Sequence, residues 1–165
     1  MARTFSNMMK EFQSYWKYFV FQSLLAGFSV FLIVIVMGLN QAVMVASLGA
    51  SAFIVFALPE KITAKPRSVI GGHAVGIICG HAGYKLLEII PGVTNVEQAM
   101  GFGLAVGLAV FIMVVIDMEH PPAAGTAFGL VMTGATVPIV TQVLFFSIVL
   151  SGIWWLLRNH LRDLA

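Results

Sequence analysis

The chain has 165 residues, of which 59% are hydrophobic and 10% charged, whereas soluble domains carry roughly 25% charged residues. Long aliphatic runs and 13 Phe are the opposite of a disordered composition, so what remains is a polytopic membrane protein with little mass outside the bilayer. The net charge of +2 points to no nucleic-acid partner, and the single Cys79 offers neither a disulfide framework nor a cysteine-built metal site.

In chain order, residues 1–17 come first. Phe5, Met8, Met9, Phe12 and Trp16 fall on one helical face, with Arg3, Lys10 and Lys17 nearby, which predicts an amphipathic interfacial segment on the cytoplasmic side. The first span is Tyr18–Leu39. Its 22 residues exceed the roughly 7–15 of a secretory signal core and meet the ~20 needed to cross a bilayer. A shorter apolar segment, Ala42–Leu58, ends at Pro59. The next long span, Val69–Ile90, carries His73 and His81 inside it and Lys85 with Glu88 near its end, three residues apart and able to pair. Gly72, Gly76 and Gly80 on this span form overlapping G-x-x-x-G steps that allow close helix contact, as do Gly103 and Gly107 on Gln98–Met118.

Pro121-Pro122 then open a short segment reaching Gly134, about 20 Å at helical rise and too short to cross alone. Ile139–Arg158 is the last span. Its Trp154-Trp155 pair fits an interfacial aromatic belt, and residues 159–165 form a tail. Pro59, Pro91 and Pro138 lie at segment boundaries and Pro66 in a loop, so no proline interrupts a long span. Proline is at home in a first helical turn, where no backbone donor is required. The expected organisation is one transmembrane domain over 18–158.

Basic residues set the expected topology, because cytoplasmic loops collect them. If all six segments cross with the N-terminus inside, eight of the nine Lys and Arg are cytoplasmic: Arg3, Lys10, Lys17, Lys61, Lys65, Arg67, Arg158 and Arg162. Lys85 lies near the outer end of its span, where it can snorkel. Both termini are then cytoplasmic, in a multi-pass protein of the cell (inner or plasma) membrane.

The chain also reads as two halves, about 18–90 and 98–158, each a long, a short and a long segment. Gly49-Ala50-Ser51-Ala52-Phe53 aligns with Ala124-Gly125-Thr126-Ala127-Phe128 at an offset of 75. Three crossings per half would make the halves inverted repeats, with broken or short helices at Ala42–Leu58 and Pro121–Gly134. The expected fold is therefore an all-α polytopic bundle of two inverted repeats. Interrupted segments at matching positions in inverted halves point to a transporter binding site. A helix starting near Gly49 and another near Gly125 would aim their N-termini at the bilayer middle from opposite faces. Each such end carries about half a positive charge and free N–H groups, an arrangement that binds a small anion. The competing reading is that the small residues only pack helices tightly.

The stretch Glu119-His120-Pro121-Pro122-Ala123-Ala124-Gly125-Thr126-Ala127-Phe128 resembles the signature of the HPP family of integral membrane proteins. Pro66-Arg67-Ser68-Val69-Ile70-Gly71-Gly72-His73 and Leu48-Gly49-Ala50-Ser51-Ala52 resemble other segments of that family. The resemblance covers roughly residues 18–158 and implies a four-helix description, from which six segments depart. It also implies transport of nitrite or a similar small anion, with no cofactor. The expected anion-binding set is His120, Pro121, Pro122, Ala123, Ala124, Gly125 and Thr126 from the second half, Gly49, Ala50 and Ser51 from the first, and His73.

Within that set, Pro121-Pro122 push His120 out of helical conformation, Ala123, Ala124 and Gly125 would leave amides open, and Thr126 adds a hydroxyl donor. His73 and His81 read either as proton-linked groups on the path or as buried histidines bonded to neighbours. Asp117 and Glu119 read as capping, solvated carboxylates or as proton-coupling groups. The function expected is a non-enzymatic permease, and a homo-oligomer is expected because six short spans give a thin wall. The alternatives are a membrane-embedded metal-binding protein or enzyme using Asp117, Glu119, His120 and His73, and a passive assembly subunit.

Overall fold

The computed structural model describes residues 5–164, with side chains from residue 7; Arg3 and the side chain of Phe5, used above, lie outside the described residues. All regular structure among the described residues is helical. Six helices follow in order: α1 (Phe5–Met37), α2 (Ala42–Ala57), α3 (Pro66–Glu88), α4 (Asn95–Val115), α5 (Pro122–Thr133) and α6 (Val137–Leu157), with single 3-10 turns at Leu39–Gln41 and Ile62–Ala64. Four stretches are long and apolar enough to cross a membrane: Asn7–Met37, Leu39–Ala57, Asn95–Val115 and Val137–Leu157. α3 has 23 residues, or roughly 35 Å at helical rise. It is long enough but more polar. The 12 residues of α5 cover only about 18 Å.

Pro122 and Pro138 stand in the first turns of α5 and α6, at the expected boundaries, whereas Pro66, expected in a loop before Val69, is the first residue of α3; in these positions the missing donor costs nothing. α4 opens on a capping box in which the Thr94 amide and hydroxyl both donate to the Glu97 carboxylate, at 2.7 and 2.9 Å. It ends at Val115, and two residues on Asp117 has φ 57°. Arg67 on α3 closes that end, donating to the Ile116 carbonyl at 2.8 Å and pairing with Asp117 at 3.5 Å.

α3 is the central helix. Apolar burial does not draw helices together in lipid, so close approach at small residues must do it. The Gly72, Gly76 and Gly80 ridge meets this need by seating α5 and the strand of chain before it. A Cβ at Gly76 would stand 2.5 Å from the Ala123 carbonyl oxygen, one at Gly80 2.6 Å from that of Ala127, and one at Gly72 2.6 Å from the Cβ of His120. On α4 the buried face is Gly101, Ala105, Ala109 and Met113, a small-residue stripe one turn apart. Its opposite face, with Leu104, Leu108, Phe111 and Val115, is exposed, as a lipid-facing helix requires. Gly103 and Gly107 lie on this open side, with nothing within 4 Å of a built Cβ. They are not a packing contact within the chain.

A further difference from the sequence reading is α2, which does not begin near Gly49. It runs unbroken from Ala42 to Ala57, because a glycine between helix-compatible neighbours adds a cost of about 1 kcal/mol but no stop signal. α1 consists of two helical stretches joined across a kink at Tyr15 (φ −126°, ψ 17°), close to where the N-terminal segment meets the first span. The Trp154 indole N–H donates to the Pro59 carbonyl at 2.8 Å. The Lys85–Glu88 pair is present at 2.6 Å.

Candidate functional site

A cluster of polar side chains lies where α2, α3 and α5 meet. His73 and His120 are fully buried, as are Ser51 and Thr126, and Ser47 is nearly so. His73 stands seven residues into α3, roughly 10 Å along it, on the same face as the glycine ridge. His120 is delivered by the irregular chain between α4 and α5, which the proline pair holds out of helical conformation. Ser47 and Ser51 are four residues apart on α2 and so share a face. Thr126 occupies the second turn of α5.

The geometry is a single chain of hydrogen-bond contacts. His120 Nδ1 lies 2.8 Å from the Thr63 carbonyl oxygen, and its Nε2 lies 2.9 Å from Ser51 Oγ. Ser51 Oγ is also 2.8 Å from His73 Nε2, while His73 Nδ1 is 2.8 Å from Thr126 Oγ1. Thr126 Oγ1 is 2.9 Å from Ser47 Oγ, which donates to the Pro122 carbonyl at 2.7 Å. The two imidazole rings stand edge to face, 5.1 Å between centroids. Ser51 Oγ also approaches the Ser47 carbonyl at 3.1 Å, the usual back-bond of a helical serine. Such a network is stable in lipid only because its members satisfy one another; an unpaired polar group there costs several kcal/mol.

The expected residues divide. His120, Thr126, Ser51 and His73 come together, with Pro122 through its carbonyl, and Gly125 borders them: a Cβ at Gly125 would stand 3.3 Å from that of Ser47. Gly49 does not join, since it faces Val30 of α1 at 3.5 Å, and Ala50 is exposed. α2 places Gly49 about 160° around from both serines, and Ala50 about 60° from Ser47 and about 100° from Ser51. Pro121 is exposed. The amides of Ala123 and Ala124 are not open, because they donate to the carbonyls of His120 and Pro121 at 2.8 and 3.1 Å. The opposed pair of helix N-termini is therefore not formed. α5 alone presents its N-terminus here, and α2 contributes hydroxyls from its middle.

The alternative carboxylate–imidazole set is not assembled either. Asp117 is exposed and held by Arg67, and no three His, Cys, Asp or Glu side chains converge among the described residues. Glu119 keeps one enclosed carboxylate oxygen, Oε2, without a hydrogen-bond partner. His81 is exposed, beside Ile77, Ile78, Ala135 and Val140, and belongs to the outer surface of the helix bundle.

Sequence reasoning missed Ser47 and the Thr63 carbonyl. Ser47 had a signal: it shares a helical face with Ser51 and sits 75 positions before Pro122, the same offset as the aligned pentapeptides. Thr63 had none, because a backbone carbonyl in a 3-10 turn leaves no mark in composition.

The two histidines, the proline pair and the hydroxyl after them lie inside a stretch that the "HPP, transmembrane region" family profile matches over residues 11–162. The chain belongs to the HPP transmembrane family. Among curated proteins it is similar to two from Dictyostelium discoideum, each described only as a transmembrane protein. One is 31% identical over 93 residues, covering 56% of this chain and 31% of the relative. The other is 32% identical over 87 residues, covering 53% of this chain and 27% of the relative. The HPP chain thus spans less than a third of the length of the curated relatives it matches. No solved structure matches it.

Proposed function

We propose that this HPP protein is a permease for a small inorganic anion, with nitrite as that anion, and that it engages the His73–His120–Ser51–Thr126–Ser47 cluster at the N-terminus of α5. One observation carries the reading: five polar side chains, two of them imidazoles, are buried and mutually bonded inside a membrane bundle. An ionisable or polar group held inside a membrane domain is a functional site by default. Nitrite presents only acceptors, and this cluster supplies hydroxyl O–H and imidazole N–H donors from three helices. The α5 N-terminus adds about half a positive charge without a lysine or arginine.

The reading replaces two opposed helix ends by one helix end plus side-chain donors. Ser51 and Thr126, equivalent in the aligned pentapeptides, approach His73 from its two ring nitrogens, which supports the two-halves origin of the site. The cluster is buried in this conformation, so transport requires α5 to move off the α3 ridge that it packs on. The basic-residue pattern supports cytoplasmic termini, with Lys61, Lys65 and Arg67 on the same side, and the exposed Gly103–Gly107 face of α4 supports a homo-oligomer.

Purified protein in liposomes tests the proposal. Nitrite flux above that of protein-free liposomes is expected, and Gly125→Leu, which drives a side chain into Ser47, abolishes it. Equal flux with and without protein overturns the reading.

A further inference from the structure

The hydrogens of the cluster do not add up to its contacts. Leaving aside the 3.1 Å helical back-bond, the chain from the Thr63 carbonyl to the Pro122 carbonyl has six short contacts, between 2.7 and 2.9 Å. Each contact needs its own hydrogen. With both imidazoles neutral, Ser47, Ser51, His73, His120 and Thr126 supply one hydrogen apiece, one fewer than the contacts, and both ends of the chain are carbonyls that only accept. Some contact must then lie lone pair against lone pair.

We infer that the cluster binds one excess proton, shared by His73 and His120 through the Ser51 hydroxyl, and that this proton is the counter-charge taken up with the transported anion. The second half of this statement rests on the permease reading. One added proton completes each of these six contacts, in either of two arrangements, with the Ser51 hydroxyl turned from the Ser47 carbonyl to a ring nitrogen. With the charge on His73, both of its ring nitrogens donate, to Ser51 and Thr126, and Ser51 donates to His120 Nε2. With the charge on His120, that ring donates to Thr63 and Ser51, and Ser51 donates to His73 Nε2. The two interconvert when His73 Nε2 gives its proton to Ser51 Oγ while Ser51 gives its own to His120 Nε2. One N–H and one O–H break, one O–H and one N–H form, and a single positive charge moves between the rings. The remaining bonds, from His73 to Thr126, Thr126 to Ser47 and Ser47 to Pro122, are the same in both.

The surroundings explain why the proton needs an anion. α2 faces the pair with Ser47 and Ser51, α5 with Thr126, and the 3-10 turn with the Thr63 carbonyl. The buried faces of α4 and α6 carry no charge, and no Asp, Glu, Lys or Arg is buried among the described residues. Glu119, next to His120 in the chain, is only half-buried. Its enclosed Oε2 bonds to neither ring, so a cation at the imidazoles has no carboxylate in hydrogen-bond contact to balance it. A monovalent anion at the same cluster does so, which makes each transport step electroneutral.

Nitrogen-15 NMR of the histidine-labelled full chain in lipid nanodiscs reads the proton directly, with the exposed His81 and His160 as internal references. On acidification, His73 and His120 are expected to shift together over one pH interval, dividing a single proton between them as a coupled pair does. Ser51→Ala should confine the shift to one ring, and Ser51→Thr should keep it shared. Rings that stay neutral until the protein unfolds, or that each take a full proton in separate steps, overturn the inference. In liposomes with a trapped pH dye, each nitrite entering should bring one proton. Nitrite flux without proton movement overturns the coupling and leaves the permease standing; shared titration without nitrite flux counts against the permease and upholds the proton site.

Discussion

Ser51 and Thr126 hold the two nitrogens of one imidazole: Ser51 Oγ is 2.8 Å from His73 Nε2 and Thr126 Oγ1 is 2.8 Å from His73 Nδ1. Neither residue neighbours the other in the chain, yet both sit at the same place in the pentapeptides that align between the two halves. The ring is thereby fixed in position by α2 and α5 together.

Thr126→Val keeps the volume of the side chain and removes its hydroxyl. It leaves one buried imidazole nitrogen and the Ser47 hydroxyl short of a partner, a loss of about 1–3 kcal/mol. Ser51→Ala strips a partner from both rings and should cost more than Thr126→Val. Unfolding of the detergent-solubilised protein by heat or denaturant gives the order, and an equal or smaller loss for Ser51→Ala contradicts the network.

The glycine ridge predicts a contrast between substitutions of the same chemistry. Gly80→Ala would press a methyl group against the Ala127 carbonyl oxygen at 2.6 Å and should destabilise by about 1–3 kcal/mol. Gly103→Ala places the same methyl in open space and should be neutral or stabilising by up to ~1 kcal/mol, the helix preference for alanine. Thermal unfolding of both variants in the same detergent is the check.

Gln22 on α1 is buried, and it ties three elements together. Its amide donates to the carbonyls of Phe56 and Arg162, and its oxygen accepts from the Arg162 amide at 3.1 Å. Arg162 in turn lies over the ring of Tyr15, 3.7 Å from its centroid, where α1 kinks. Gln22→Leu should release the segment 158–164, which is otherwise pinned through Asp163 to Lys61 and the Glu60 amide. Hydrogen exchange at the Arg162 amide should rise by roughly tenfold or more, the factor that corresponds to ~1.4 kcal/mol of lost protection. Unchanged exchange there would contradict the role assigned to Gln22.

Much of this architecture is legible before folding. The apolar runs locate α1, α3, α4 and α6, and prolines mark where α5 and α6 begin, because both signals act through the chain's own neighbours; Pro66 reads as loop yet opens α3. His73, His120, Ser51 and Thr126 stand out for the same kind of reason: they are polar groups in apolar or small-residue surroundings, and Ser51 and Thr126 also match in the aligned pentapeptides. What could not be read depends on packing between distant segments. Gly49 looks like a helix start only if glycine is taken as a break; in the folded chain α2 simply continues through it. The Ala123 and Ala124 amides look open until the turn at His120-Pro121 closes on them. Gln22 is a lone polar residue in a span, and nothing nearby in sequence announces that the C-terminal tail returns to meet it.

The central claim is that an anion passes through the His73–Ser51–His120 cluster, and nitrite flux into liposomes containing the purified protein measures it most directly. The account predicts saturable flux well above that of lipid alone, removed by Gly125→Leu in a variant that retains its helical content and monodispersity. Flux no faster than through lipid, or flux untouched by filling the space between Gly125 and Ser47, would contradict it.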